Sequence, residues 1–142
     1  MKNILVEISS FFQKNIKLEL PDISNWNTSN VINMEGMFAG SPIKTLPDLS
    51  KWKTNNVIKI NNLFAFCYNL TEIPDISKWN TIKINDISFL FSFCISLVSL
   101  PDISKWNISN VIDISGTFAL CISLKYLPNL QSWNTGKVDF LS

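Results

Sequence analysis

The chain contains no histidine and no arginine, and only four glycines in 142 residues. Without histidine it lacks the side chain that titrates nearest neutral pH and the commonest zinc and copper ligand. Ser-His-Asp, Cys-His and histidine-rich metal sites are therefore excluded. Without arginine it cannot form the planar two-pronged contact that reads guanine or clamps phosphate. Twelve cations, all lysine, face eleven anions for a net charge of +1, so no field of one sign is available to gather nucleic acid or an anionic membrane. No glycine-rich phosphate loop is present, and no run reaches the eighteen or so apolar residues of a membrane span. The opening MKNILVEISSFF is broken by Glu7 and has no small-residue cleavage site or lipid-attachment motif after it, so it does not read as a signal peptide. These absences point away from an enzyme, and no cofactor, metal, nucleic acid or membrane span is expected.

What is there is repetition. Trp26, Trp52, Trp79, Trp106 and Trp133 recur at intervals of 26, 27, 27 and 27, and Pro21, Pro47, Pro74, Pro101 and Pro128 keep the same intervals. In register the repeats begin PDISNWNTSNV, PDLSKWKTNNV, PDISKWNTIKI, PDISKWNISNV and PNLQSWNTGKV. Apolar columns follow each tryptophan: Val31, Val57, Ile84, Val111 and Val138; then Met34, Ile60, Ile87 and Ile114; then Phe38, Phe64, Phe91 and Phe118; then Cys67, Cys94 and Cys121. A fixed period in this range marks units that bury their apolar faces only by stacking on neighbours. The chain reads as one domain, with 1–20 a partial or capping coil, full coils at 21–46, 47–73, 74–100 and 101–127, and a truncated fifth at 128–142.

Within a coil, the apolar residues from Val31 to Phe38 fall at i, i+3, i+6 and i+7, which predicts a two-turn helix with Thr28, Ser29 and Asn30 as caps. The Leu-Pro-Asp-Ile-Ser segment predicts one short strand per coil, with proline at its start. The expected fold class is therefore an α/β repeat solenoid with one short parallel strand and one short helix per coil.

The string Leu-Pro-Asp-Ile-Ser-Lys-Trp-Asn, followed by Val, Met or Ile, Phe, Cys and Leu columns, resembles the BspA-like leucine-rich repeats over residues 11 to 142. That resemblance implies a leucine-rich-repeat-like fold and a surface or secreted protein mediating contact or adhesion. Departures from the pattern are Ser41-Pro42 in place of the cysteine corner, Ile108 in place of threonine, and Asn129 and Gln131 in the fifth repeat.

Several repeated residues could carry chemistry. Cys67, Cys94 and Cys121 are odd in number and lack zinc-site spacing, which favours core thiols over a disulfide between adjacent coils. The column Asp22, Asp48, Asp75 and Asp102 would place like charges about 4.8 Å apart, a repulsion of roughly 0.9 kcal/mol per neighbour in water. Lys51, Lys78 and Lys105 and the nearby serines are the expected compensation, ahead of calcium. Trp26, Trp52, Trp79, Trp106 and Trp133, with Phe38, Phe64, Phe91 and Phe118, read as a core ladder; an exposed tryptophan ladder binding carbohydrate is the alternative. The threonines Thr28, Thr54, Thr81 and Thr135 resemble the ladder of a flat ice-binding face, broken at Ile108. Columns that vary between coils are the expected partner surface, and Lys44, Glu72, Asp75, Asp102 and Tyr126 are the predicted contacts. The function expected is a non-catalytic protein-binding or adhesion scaffold with a protein partner. A structural spacer within a longer array is the alternative, and uncapped coils could associate end to end.

Overall fold

A computed structural model describes residues 22–139, and the expected capping coil at 1–20 lies outside them. Successive repeats stack in register. Parallel bridges join Asn33 to Lys59, Lys59 to Asp86 and Asp86 to Asp113, one repeat apart each time.

The α/β solenoid expectation is overturned. No described residue lies in a helix or a strand; the backbone is a succession of turns, bends and isolated bridges. The segment expected to be helical is a double turn. Met37 N–H donates to Met34 C=O and Ser41 N–H to Phe38 C=O, and the third residue of each turn, Gly36 or Gly40, has a positive φ of 62° or 72°. That is the signature of type II turns. Two consecutive four-residue turns return to the interior at a period close to that of a helix, so the apolar spacing imitated one. Four other amides of the arc point along the stack: Met34, Gly36, Phe38 and Gly40 donate to the carbonyls of Lys59, Asn61, Leu63 and Ala65. The next two arcs repeat the pattern.

The expected strand fails for a different reason. The backbone bond nearest it at each coil junction, Thr71 N–H to Lys44 C=O or Val98 N–H to Thr71 C=O, falls three residues before the proline, outside the segment. Proline then removes a donor and an aspartate-led turn ends the extended run.

The core is a set of columns. Phe38, Phe64 and Phe91 are fully buried, and adjacent rings of the column, Phe118 included, stack at 5.7–5.8 Å. Ile23, Leu49, Ile76 and Ile103 form another buried column, and Met34, Ile60 and Ile87 a third. Each ring or aliphatic chain covers the open face of the one before it.

Candidate interaction site

Most of the repeated polar groups are consumed in holding coil to coil. The indole Nε1 of Trp52 donates to Ile23 C=O at 2.9 Å, and those of Trp79, Trp106 and Trp133 donate to Leu49, Ile76 and Ile103 at 3.0 Å. Trp52, Trp79 and Trp106 are buried, and Trp52 and Trp79 lie parallel at 6.4 Å, so their faces offer no platform to a sugar. Trp26 and Trp133, in the first and last described coils, are more open. Of the threonines expected to cap a helix or to line a flat face, Thr28, Thr54 and Thr81 are instead buried and reach the backbone of the next coil, while Thr135 is exposed. Thr28 Oγ1 donates to Lys53 C=O and accepts Lys53 N–H, and Thr81 does the same for Asn107.

The cysteines are free thiols that follow the same logic. Cys67, Cys94 and Cys121 donate to the carbonyls of Phe38, Phe64 and Phe91 at 3.0–3.1 Å. Burial pushes Cys67 and Cys94 up to about 12 and raises Cys121 in the same direction. A thiol held protonated is neither a nucleophile nor a metal ligand at neutral pH. The aspartates close turns: the amides of Ser24, Ser50, Ser77 and Ser104 donate to Asp22, Asp48, Asp75 and Asp102 at 2.8–3.0 Å. Bonds from these serines hold the carboxyls below their ordinary range, with a smaller pull from Lys51, Lys78 and Lys105. No group of three or more metal-ligating side chains occurs among the described residues.

The predicted contacts Lys44, Glu72, Asp75, Asp102 and Tyr126 are all exposed. The register brings them onto separate columns: Glu72 shares one with Tyr126, Asp75 another with Asp102, and Lys44 lies on a third. A shallow groove of about 430 Å³ opens elsewhere, between Asn30, Ile32, Asn56, Ile58 and Lys83. Its polar groups already serve one another, since Lys83 Nζ donates to Asn56 Oδ1, whose Nδ2 donates to Ser29 C=O.

The unexplained surface lies on the double turn. Its two left-handed positions recur in every arc as Gly36, Asn62, Phe89 and Gly116, and as Gly40, Phe66, Phe93 and Leu120. Glycine takes this conformation freely, whereas a bulky side chain pays about 1–3 kcal/mol there. Phenylalanine or leucine nonetheless fills four of these sites, and at three of them the side chain is exposed, Phe66 at 40%, Phe89 at 43% and Leu120 at 53%, while Phe93 is half-buried. Phe66 stacks on Phe93 at 4.8 Å and meets Tyr68 edge-on at 6.2 Å. Phe89 lies over Gly116, where an added Cβ would come within 2.5 Å of the ring. Two residues beyond the second left-handed column stand Tyr68, Ile95 and Ile122, also exposed. The result is an uncharged apolar stripe crossing three coils.

Sequence reasoning looked for variable columns and chose those beside the expected strand, missing this one. A signal was present: in one column glycine alternates with phenylalanine and leucine, residues with nothing in common except the backbone they share. A family model described as Mycoplasma protein of unknown function, DUF285, matches residues 6–100 and 69–142. No curated protein and no solved structure matches the chain.

Proposed function

The chain belongs to the DUF285 family, and we propose that within it this protein is a non-catalytic protein-binding or adhesion scaffold, part of a surface or host-contact repeat protein. The observation that carries the reading is the stripe that includes Phe66 and Leu120, where strained backbone is retained while apolar side chains stand exposed. Contiguous exposed apolar surface of this kind marks an interaction site, and aromatic side chains are the usual anchors of protein interfaces. The resemblance to BspA-like repeats supports a setting at the cell surface. The absence of catalysis is supported by chemistry: the thiols are buried and protonated, and the aspartates are spent on turns. Among the described residues no helix is long and apolar enough to cross a membrane.

Site-specific photo-crosslinking tests the reading. A benzophenone side chain replacing Phe93 should give discrete protein adducts, either with detergent-extracted host surface proteins or with the chain itself. The same group replacing Lys51, outside the stripe, should give none. Absence of adducts from both positions would overturn the proposal and leave the spacer reading.

A further inference from the structure

We propose that the first two described coils hold a binding site for an acidic sugar, a pyranose ring carrying a carboxylate or a sulfate. The site is a groove of about 320 Å³ at the tryptophan corner rather than on the arc, so it does not rest on the stripe. Asn25, Trp26, Asn27 and Ser29 of the first coil line it, with Lys51 and Lys53 of the second.

Two departures from the repeat coincide there. The first concerns the indole. Trp52, Trp79, Trp106 and Trp133 each donate Nε1–H to a carbonyl of the preceding coil, and the first three of them are buried. Trp26 is 37% exposed, and its Nε1–H has no acceptor among the described residues. The second concerns charge. The positions on either side of the tryptophan are Asn25 and Asn27 in the first coil and Lys51 and Lys53 in the second, and no other coil has lysine on both sides. Stacking in register therefore sets two lysines beside the two asparagines that flank the open indole. Neither ammonium is in an ion pair or hydrogen bond with a described residue.

The bonds already made around the groove fix the polarity of its ligand. Asn27 Oδ1 accepts both the amide and the hydroxyl of Ser29, Ser24 Oγ donates to Asp22, and Thr28 Oγ1 is bound twice to the backbone of Lys53. Asn25 keeps a whole amide; the other side-chain groups left over are donors, namely the indole N–H, Asn27 Nδ2 and the two ammoniums. A donor-rich rim with two positive charges selects an anion rich in acceptors, and lysine binds carboxylate or sulfate as a point charge. The open indole selects what carries that anion. A pyranose turns weakly positive C–H bonds to the negative face of an aromatic ring, while its hydroxyls accept from the amides around it. A groove of about 320 Å³, at the small end of ligand pockets, suits a single ring. Lys51 also helps to hold the carboxyls of Asp22 and Asp48 below their ordinary range, so Lys53 is the freer cation.

The test is an NMR titration of the full chain, in which each of the five tryptophans gives one indole N–H signal. Trp26→Phe identifies the signal of Trp26, and the other four, hydrogen-bonded inside the stack, show that each variant stays folded. Methyl glucuronide and sulfated methyl glucoside should move the Trp26 signal saturably, with Kd in the millimolar range. Neutral methyl glucoside should bind at least about fivefold more weakly, the worth of one exposed ion pair. Lys53→Ala should bring the acidic sugars down to the neutral one, whereas Lys78→Ala, one coil further on, should change nothing. A stronger response to one of the two acids supports the site and names its charged group. Equal binding of neutral and acidic sugars, or acidic binding that survives Lys53→Ala, would overturn the role of the lysines. Inorganic sulfate moving the signal as far as the sugars do would overturn the sugar, and the absence of a saturable shift with every probe would overturn the site. Any of these failures leaves the cross-links of the stripe untouched, since groove and stripe share no residue; binding this weak gives no discrete adduct at Lys51.

Discussion

The tryptophan–threonine corner and the double-turn arc of each coil solve the same problem by opposite means. At the corner the backbone is ordinary and side chains do the joining: an indole reaches back to the preceding coil while a threonine hydroxyl reaches forward to the next. In the arc the backbone joins itself, amide to carbonyl, and to do so adopts a left-handed conformation twice per coil. The corner therefore restricts which residues may stand there, whereas the arc restricts shape and leaves the outward side chain open. A surface free to vary can take on function, and on this molecule it is the arc that carries the apolar stripe.

The comparison breaks most visibly at the corner. Trp79→Ala removes a buried ring stacked on Trp52 and one of the two donors to Leu49 C=O, leaving only Trp52 N–H. It should cost about 3–5 kcal/mol in urea unfolding; a loss under about 1 kcal/mol would mean the corner does not hold the stack. The arc should break first in alkali. Cys67 and Cys94 titrate near 12 when folded against an ordinary value of 9.0. A raised folded value means that the native state holds its proton longer, so the contribution is intact below pH 9 and is lost as pH rises from 9 towards 12. Unfolding midpoints should fall across that window, and less steeply in Cys94→Ser; a flat profile would show the thiols are not buried as described. The smallest effect has the opposite character. Leu120→Gly relieves a left-handed leucine at φ 56° whose side chain is mostly in water. Stability should stay within about 1 kcal/mol of the parent or rise, by thermal melting. A large loss would mean that Leu120 belongs to the core and that the stripe is packing rather than display.

The same contrast explains what could be read from the sequence. Corner residues announce themselves because their side chains perform the bonding: the tryptophan interval gave the register, and the serine after each aspartate was already the expected partner of that carboxylate. Ile108, where threonine was expected, is buried in the same column with an apolar chain in place of a hydroxyl bridge. The arc was misread because its determinant is a backbone angle. Glycine flags that angle at 36, 40 and 116, but Asn62, Phe66, Phe89, Phe93 and Leu120 adopt it without any such flag. Met34, Met37 and Phe38 carry a spacing that a helix and a pair of tight turns satisfy equally well. The predicted contacts were chosen for variability beside an expected strand, and once that strand is replaced by bends there is no common face to assemble them.

The bonds between coils also have a direction. Indoles and thiols donate towards the coil already passed in sequence, while arc amides donate towards the coil still to come. A chain emerging from the ribosome meets this order in time: each completed arc offers a row of donors before its successor exists, and each arriving tryptophan and cysteine closes onto carbonyls already in place. Every such closure spans about one repeat, so the loop entropy of adding a coil stays constant however many precede it. Assembly can then run as a zipper from the amino end, and lengthening the array by duplication would add rungs without slowing the step that forms each one.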